Sequence, residues 1–379
     1  MDKFEIIIVS LFGLESFVAK EVRRLGYETT EVSDGKICFM GDAEAVVRAN
    51  INIRTGERVL IKVAEFTALS FEELFENVKA IDWSRWLPEN ASFPVKGYSL
   101  KSQLASVRDC QAIIKKATAV KMAEIYNTET LPEDGDLYQI QFSIYKDKVT
   151  VMLDTSGEPL HKRGYRKNSN IAPLRETMAA AMIMLSYWKY EYPLYDPFCG
   201  SGTIPIEAAM FKNNIAPGLK REFAAESFSF IDKSCWENAR EEAKQNIRSL
   251  PLKIYASDIS EEAVELTKNN AELAGVSEYI SVKQDNALCL DVSQPYGTVI
   301  CNPPYGERLG DIKECEHLYK RLGKKWNSAE TWSFYVLTNH EEFETLFKKK
   351  ASKKRKLYNG MLKCTLYQYF GEKPPIDKL

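Results

Sequence analysis

The 379-residue chain is poor in histidine and has no excess of charge of either sign. With three histidines and eight cysteines that form no Cys-x-x-Cys pair, we expect no metal site and no histidine-based acid–base catalysis. Lys+Arg 51 against Asp+Glu 53 excludes binding of nucleic acid through bulk positive charge, so such contacts would need local basic patches. No apolar run reaches the roughly 18–20 residues of a membrane span, and the first apolar run is too short and too acidic in its flanks for a signal peptide. We therefore expect a cytoplasmic protein with free thiols and no membrane partner.

Apolar periodicity divides the chain into three predicted domains. Residues 1–65 predict a small α+β domain, and residues 66–157 predict a second α+β domain with a long helix over Ser106–Tyr126. Residues 158–379 alternate between strands and helices, which is typical of a doubly wound, mostly parallel α/β sheet.

The segment Asp196-Pro-Phe-Cys-Gly-Ser-Gly-Thr203 follows a predicted strand and opens a predicted helix, where open α/β sheets bind ligands. Gly200 and Gly202 let the backbone approach a ligand closely. No lysine follows the glycines, which excludes a P-loop, and the spacing does not match that of a dinucleotide-binding loop. The pattern favours a cofactor without pyrophosphate, with Asp196 facing a cationic group; an ordinary glycine-rich turn is the alternative.

Two further carboxylates stand at the ends of the next two predicted strands. Asp258 can accept both hydroxyls of a ribose, and Asp285 can accept from an adenine amino group. Each alone is more often a helix cap or turn residue. Because the ends of parallel strands share one edge of a sheet, we expect Asp196, Asp258 and Asp285 to line one cleft.

The sharpest signal is Asn302-Pro303-Pro304-Tyr305 at the end of a buried strand. Two prolines fix the turn and remove two backbone donors, which leaves the Pro303 carbonyl and the Asn302 side-chain oxygen as acceptors. Two converging acceptors suit a planar NH2 group and stabilise the positive charge that grows on it during nucleophilic attack. Tyr305 offers a flat surface for an extruded base.

These two motifs resemble motifs I and IV of class I S-adenosylmethionine-dependent amino-methyltransferases. Further segments narrow the resemblance to bacterial THUMP-domain methyltransferases that modify guanine N2 in 23S ribosomal RNA: Leu160-His-Lys-Arg-Gly-Tyr-Arg, Ala172-Pro-Leu-Arg-Glu-Thr, Leu357-Tyr-Asn-Gly-Met-Leu, Ala216-Pro-Gly-Leu, and Ser102-Gln-Leu with Asp109-Cys-Gln. The resemblance spans nearly the whole chain. Larger members carry a second methyltransferase module, so only the guanine-N2 activity is implied here.

The resemblance implies a ferredoxin-like domain, a THUMP domain and a Rossmann-like methyltransferase domain with a seven-stranded sheet. It also implies S-adenosyl-L-methionine as cofactor, S-adenosyl-L-homocysteine as product, and large-subunit ribosomal RNA or its assembly intermediate as partner. The cofactor-binding residues are then Asp196, Phe198, Cys199, Gly200, Gly202, Thr203, Asp258, Ile259, Asp285 and Asn286. The base-binding residues are Asn302, Pro303, Pro304 and Tyr305.

Three basic segments are candidate RNA contacts. The predicted long helix carries Arg108, Lys115, Lys116 and Lys121, and the connector before the methyltransferase domain carries Lys162, Arg163, Arg166 and Lys167. The third segment, 348–356, has seven basic residues of nine and predicts a lysine-rich loop. Each could instead be a solvated surface.

Two other functions stay open at this point. An adenine-N6 methyltransferase or a protein-glutamine methyltransferase would use the same Asn-Pro-Pro-Tyr tetrad, because each target is a planar NH2 group. A catalytically silent RNA-binding assembly factor would need neither the carboxylates nor the tetrad. The N-terminal 155 residues, with their basic helix, favour structured RNA over DNA.

Overall fold

The computed structural model describes residues 3–166, 174–305, 312–360 and 362–373. The chain forms two compact units. The first unit comprises Met1–Ser10, Val18–Leu160 and Arg221–Ala243. The second unit comprises Leu11–Phe17, His161–Lys220 and Lys244–Leu379. The segment Arg221–Ala243, which lies within the predicted methyltransferase domain, thus belongs to the first unit.

The first unit is built on one seven-stranded sheet in the order β2-β3-β1-β4-β7-β6-β5, antiparallel except for the pair β5 and β6. Its strands are β1 (Phe4–Ser10), β2 (Thr29–Ser33), β3 (Lys36–Gly41), β4 (Gly56–Thr67), β5 (Val95–Leu100), β6 (Ile140–Tyr145) and β7 (Lys148–Asp154). Its helices are α2 (Ala43–Asn52), α3 (Phe71–Lys79) and α4 (Val107–Tyr126), together with most of α1 (Glu15–Arg24) and of α7 (Lys233–Gln245). The predicted long helix is confirmed as α4, which begins at the N-cap Ser106.

Strand β4 is the longest strand described, and it crosses residue 65, where the periodicity predicted a domain boundary. It pairs with β1 on one side and with β7 on the other. The first 65 residues and the following region therefore share one hydrogen-bonded sheet.

The segment Arg221–Ala243 packs against the rest of the first unit through aromatic and ionic contacts. Phe228 stacks on Tyr138 with ring centroids 4.4 Å apart and 9° between the planes. The Arg48 guanidinium lies 2.7 Å from a Glu242 carboxylate oxygen.

The second unit contains the doubly wound sheet that the alternation predicted. Its order is β10-β9-β8-β11-β12-β14-β13; the first five strands are parallel, and β14 pairs antiparallel with both β12 and β13. The strands are β8 (Leu194–Asp196), β9 (Ile254–Asp258), β10 (Ile280–Gln284), β11 (Thr298–Cys301), β12 (Ser333–Thr338), β13 (Lys353–Asn359) and β14 (Leu362–Tyr369). The helices are α5 (Glu176–Leu185), α6 (Thr203–Lys212), α8 (Glu261–Ala274), α9 (Ile312–Trp326) and α10 (Phe343–Phe347).

Side chains of the central strands alternate between two hydrophobic clusters, one on each face of this sheet. In β12, Phe334 and Val336 join the cluster that contains residues of α9 and α10, whereas Tyr335 and Leu337 join the cluster that contains residues of α5, α6 and α8. Because strand side chains point alternately to opposite faces, both faces are covered. The predicted fold class is therefore confirmed.

The lysine-rich segment 348–356 is only partly a loop. From Lys353 onward it forms β13, which pairs with β14 at the edge of the sheet. Lysines on an edge strand are typical of natural sheets, because they discourage pairing with another chain.

Candidate active site

Four parallel strands of the second unit bring the predicted polar residues to one edge of the sheet. Strand β8 ends at Asp196 and β9 ends at Asp258, while Asp285 and Asn302 directly follow β10 and β11. Because the spatial order is β10-β9-β8-β11, the edge presents Asp285, Asp258, Asp196 and Asn302 in that sequence. Asp196 thus lies between the carboxylate of β9 and the tetrad of β11.

The loop between β8 and α6 is held by backbone bonds and by helix α8. Gly200 and Gly202 have φ values of +52° and +80°, which side-chain-bearing residues rarely adopt. The Gly202 amide donates to the Cys199 carbonyl at 2.7 Å. From α8, Thr267 donates to the Gly200 carbonyl at 3.0 Å. A Cβ placed on Gly200 would have nothing within 4 Å, so the loop presents an open concave backbone at this point.

Asp196 is buried, and only one of its oxygens has a described partner. Its Oδ1 accepts from the Phe198 amide at 3.2 Å, while its Oδ2 has none. Burial, aided by the nearby Asp258 charge, raises the pKa of the Asp196 carboxyl well above its usual value. A buried carboxylate oxygen without a donor fits a cationic group of a ligand, such as the ammonium of a methionine moiety.

Asp258 connects β9 to the glycine loop. Its Oδ2 accepts from the Gly200 amide at 3.0 Å, and its Oδ1 accepts from the Ser260 amide at 3.1 Å. Each carboxylate oxygen can accept a second hydrogen bond, so the residue can still receive two hydroxyls. The next side chain, Ile259, is 70% exposed and offers an apolar surface beside this carboxylate.

Asp285 differs from the other two carboxylates because it lies near the surface. Its Oδ2 is 2.6 Å from the Lys283 ammonium, and its Oδ1 accepts from the Asn286 amide at 2.8 Å. The hydrogen bond from Lys283 lowers the pKa of Asp285. Asn286 accepts from the Leu288 amide and so caps a short 3-10 turn.

The remaining predicted loop residues have structural contacts as well. Phe198 packs against the cluster on the α9 side of the sheet, and burial raises the pKa of the Cys199 thiol. Thr203 is the first residue of α6, and its hydroxyl accepts from the Arg166 guanidinium at 3.3 Å.

The tetrad follows β11 and is partly buried. The Tyr305 hydroxyl donates to the Asn302 side-chain oxygen, and the Tyr305 ring packs against the hydrophobic cluster that includes Cys364. The Tyr305 ring is therefore packed against other side chains of the protein, whereas the sequence predicted an open stacking surface. Pro303 is buried, and the Pro304 carbonyl accepts from the Tyr319 hydroxyl at 2.6 Å.

Sequence reasoning missed the residues that support the tetrad. Tyr319 lies on α9 and also contacts the Thr338 hydroxyl at 3.3 Å, and Cys364 lies on β14 with its sulfur 4.0 Å from the Tyr305 hydroxyl. Both residues are distant from the tetrad in sequence and resemble ordinary core residues there. No local pattern could have identified them.

The basic connector is mostly internal. Arg163 is buried, and its Nε lies 3.3 Å from Glu207, whose oxygen also accepts from the Tyr165 hydroxyl. Arg166 pairs with Glu176 at 2.6 Å. These contacts correct the prediction that Arg163 meets RNA phosphates, because a buried guanidinium cannot reach them. Lys162 is exposed, and Lys167 lies outside the described residues.

Helix α4 presents its basic residues unequally. Arg108 and Lys116 are exposed, and Lys121 is half-buried. Lys115 instead pairs with Glu133 and sits 3.5 Å from the centre of the Phe93 ring. Of the four predicted contacts on α4, Lys115 is therefore already engaged within the first unit.

A cavity of about 920 Å³ lies in the first unit. Its lining includes five acidic residues and one lysine, so its charge would repel RNA phosphates. The lining residues include Asp136, Glu158, Glu222, Glu226, Asp232 and Lys233. We therefore place the active site at the carboxyl ends of the parallel strands in the second unit.

Within the described ranges, no cluster of three or more His, Cys, Asp or Glu side chains could hold a metal ion. In that same part of the chain, no helix has the length and apolar character needed to cross a membrane.

Comparison with known families accounts for almost the whole chain. Residues 163–368 match the family described as the RMKL-like methyltransferase domain. Residues 5–60 match the RlmL ferredoxin-like domain, and residues 68–154 match the THUMP domain.

Individual relatives agree with these matches. A Bacillus subtilis protein provisionally named RNA methyltransferase YpsC is 46% identical over 100% of this chain and 99% of its own length. Ribosomal RNA large subunit methyltransferase K/L of Shewanella amazonensis is 34% identical over 94% of this chain. The match covers only 52% of that relative, so this chain spans about half its length.

A solved structure connects the fold to a cofactor. SMU.472, provisionally named a methyltransferase, was solved as a complex with SAH and is 40% identical to this chain. The match covers 99% of this chain and 100% of that structure, with a TM-score of 0.93. The orphaned oxygen of Asp196 and the open concave backbone at Gly200 fit such a cofactor. The chain therefore belongs to the RMKL-like methyltransferase family, together with relatives named as RNA methyltransferases, and its cofactor is S-adenosylmethionine.

Proposed function

We propose that this protein methylates the exocyclic N2 amine of a guanine in 23S ribosomal RNA. The observation that carries the proposal is the position of the tetrad: Asn302 follows β11, and β11 is the direct neighbour of β8, which ends at Asp196. A base amine held by the tetrad would lie beside the cofactor loop. The relatives named as ribosomal RNA methyltransferases support RNA as the substrate.

The cofactor supplies an electrophilic methyl group when it is bound. Asp196 would pair with the ammonium of its methionine part, Asp258 would accept from the ribose hydroxyls, and Asp285 would accept from the adenine amine. Phe198, Cys199, Thr203, Ile259 and Asn286, together with the two glycines of the loop, would complete the pocket. These roles require hydrogen-bond acceptors and an open backbone, and the described contacts leave both.

The tetrad would position the amine and stabilise its charge. The Asn302 side-chain oxygen and the Pro303 carbonyl would accept the two amine hydrogens, which frees the nitrogen lone pair for attack. The Tyr305 hydroxyl already donates to Asn302, and an amide oxygen can accept two hydrogen bonds. We therefore assign Tyr305 the role of orienting Asn302, and stacking against the base would require its ring to turn outward.

Strand β13 offers a path for the RNA backbone towards the tetrad. Its residues Lys353, Lys354 and Lys356 are exposed, and the next residue, Leu357, is paired with Cys364 beside Tyr305. The ammonium of Lys354 lies 2.5 Å from a Glu344 carboxylate oxygen, so Lys353 and Lys356 are the residues that would hold phosphates by charge. Lys162, Arg108 and Lys116 would add further contacts.

We place this activity in the cytoplasm. All eight cysteines are free, which fits a reducing compartment, and large-subunit ribosomal RNA is the proposed partner. Whether the partner is naked RNA or an assembly intermediate can be tested by offering both to the purified protein.

The decisive experiment is nucleoside mass spectrometry of ribosomal RNA from cells that lack this protein, with sites mapped by primer extension. We expect N2-methylguanosine to fall at one site and to return when the wild-type gene is supplied. A loss of N6-methyladenine instead would favour the adenine alternative. No change in any modified nucleoside, with ribosome assembly impaired, would favour the silent assembly factor.

A further inference from the structure

We propose that the exposed face of strands β5 and β6 in the first unit is a platform on which bases of single-stranded RNA stack. We define this surface, the β5–β6 face, by Lys96, Tyr98, Leu100, Gln141, Ser143 and Tyr145. The inference rests on the proposed function, since it takes RNA as the substrate, and it assigns to the first unit a recognition surface separate from the active site.

Strand register places these side chains on one face. Tyr98 lies opposite Ser143, and Leu100 lies opposite Tyr145, in a parallel pair. The alternate residues of β6, such as Ile140 and Phe142, are buried on the other face. With strands about 4.8 Å apart and a rise of about 3.3 Å per residue, the two tyrosines are diagonal neighbours roughly 8 Å apart. Two separate bases can therefore each meet one ring.

The apolar members of this face are unusually exposed. Tyr98 is 53% exposed, Leu100 is 56% exposed and Tyr145 is 48% exposed. Scattered single exposures are normal, but three large side chains on adjacent strands form a continuous patch that marks an interaction site.

The charges around the patch indicate which kind of partner it binds. Lys96 is on the face itself, and Lys101, Lys146 and Lys148 surround its far end, all of them exposed. The Lys146 ammonium lies 5.4 Å from the centre of the Tyr145 ring. Interleaved aromatic rings and cations are the components that hold single-stranded nucleic acid, by base stacking and by phosphate contact.

Two acidic residues lie beside the patch: Glu65, which is paired with lysines, and Asp147 of the hairpin, whose carboxylate accepts from the Gln103 amide at 2.7 Å. Glu65 on β4 lies 2.6 Å from Lys148 and 3.7 Å from Lys62. A surface rich in lysine is also a poor match for another protein, because protein–protein interfaces are depleted in lysine. RNA therefore fits this face better than a protein partner or a second copy of the chain does.

The test measures binding of a fluorescein-labelled, unstructured 16-nucleotide RNA, and of a duplex of the same length, to the full chain by anisotropy. Tyr98→Ala and Tyr145→Ala should each weaken single-strand binding by about tenfold, the size expected when one stacked base is lost. Duplex binding should change little, because paired bases cannot stack on the rings. Tyr98→Phe and Tyr145→Phe should bind like the wild type.

The matched control is Tyr187→Ala, since Tyr187 is 70% exposed but lies in the second unit. It should bind the single strand as the wild type does. Unchanged binding by both alanine variants would overturn the platform. So would a dimer, detected by sedimentation, that the alanine variants disrupt, because the face would then join two copies.

A second readout covers variants that fail to fold. Wild-type protein cross-linked to RNA that contains 4-thiouridine should yield modified peptides that include Tyr98 or Tyr145, and cross-links confined to other peptides would contradict the proposal. Methylation of ribosomal RNA separates the two hypotheses. If the alanine variants bind RNA as the wild type does and methylate ribosomal RNA normally, only the platform hypothesis is wrong. If the alanine variants lose binding but the wild type methylates no ribosomal RNA, only the proposed activity is wrong.

Discussion

The second unit contains buried carboxylates in two places, and the charges around them differ. On helix α6, Glu207 is fully buried but lies 3.3 Å from the Nε of the equally buried Arg163. At the strand-end edge, Asp196 is just as buried, and one oxygen of each carboxylate lacks a described hydrogen-bond partner, but the described contact of Asp196 is a backbone amide instead of a cation. The first carboxylate is balanced by a charge of the protein, and the second is not.

This difference distinguishes a carboxylate that stabilises the fold from a carboxylate that is available to a ligand. A buried ion pair is balanced from within, so its residues hold elements together whether or not a ligand is bound. A buried carboxylate without a cation lowers the stability of the free protein and is best balanced by a cationic ligand. The same residue types therefore predict opposite consequences of substitution, which the following changes test.

The largest expected effect is on stability and comes from the paired site. Glu207→Ala removes the buried carboxylate that faces the buried Arg163 guanidinium, which should lower the free energy of unfolding by about 3–5 kcal/mol. Urea titration followed by tryptophan fluorescence measures this change. The control Lys268→Ala removes the exposed pair with Glu265 and should cost less than about 1 kcal/mol. If Glu207→Ala abolished cofactor binding without loss of stability, the comparison would fail.

At the strand-end edge, the largest expected effect is on turnover. Asn302→Ala removes an acceptor that we assign to the developing positive charge, so the methylation rate should fall about 10²- to 10³-fold. Stability and S-adenosylhomocysteine affinity should stay close to those of the wild type, because Asn302 lies outside the predicted cofactor residues. Radiolabelled methyl transfer and calorimetry measure these quantities. A near-normal rate would refute the assigned role.

A smaller loss is expected from the ribose carboxylate. Asp258→Ala should weaken S-adenosylmethionine binding about 10- to 100-fold, because hydrogen bonds to a charged group contribute about 1.5–3 kcal/mol. It also removes the contact to the Gly200 amide. Calorimetry should show normal affinity for Asp291→Ala, whose carboxylate caps Ser293 at the surface. Equal losses in both variants would indicate a general effect of charge.

The smallest effect has opposite signs for stability and for binding. Asp196→Asn removes a buried carboxyl group whose ionisation is costly, so the free protein at pH 8 should gain about 1–2 kcal/mol of stability. Cofactor affinity should fall, because the amide cannot pair with an ammonium. If Asp196→Asn destabilised the free protein, Asp196 would belong with the structural pairs.

The pH dependence follows from the raised pKa of Asp196. Above the pKa of the unfolded chain and below that of the folded chain, the folded state alone holds the proton. The stability of the free protein should therefore fall as pH rises through this interval. The fall should be smaller in Asp196→Asn when thermal unfolding is measured across that interval; part of it should remain, because burial also raises the pKa values of Glu21, Asp154 and Glu176.

The sequence was sufficient for the parallel sheet and for the residues at its edge. Strand ends carry strong local signals, such as the glycine loop and the Asn-Pro-Pro turn, and parallel strands must bring these ends together. It could not show which cations are internal. Arg163 and Lys162 are adjacent, yet one is buried against Glu207 and the other is exposed, because the difference depends on a residue 44 positions away.

The sequence was also insufficient for the first unit. Strand β4 lacks a clear period where it runs from the first predicted domain into the second, so the sequence does not show that the two regions share one sheet. The exposure of the tyrosines on the β5–β6 face depends on what covers the sheet, which the sequence does not show either. Both features depend on tertiary surroundings, which local patterns do not encode.

The segment Arg221–Ala243 has a consequence for synthesis of the chain. The first unit is continuous from Val18 to Leu160, but its last segment ends at Ala243, 83 residues later. At roughly 5–20 residues per second, a ribosome needs about 4–17 s to supply that segment. During this interval, Tyr138 and Arg48 have been made but lack the partners Phe228 and Glu242. The nascent N-terminal region therefore waits for part of the methyltransferase sequence before it can complete its packing.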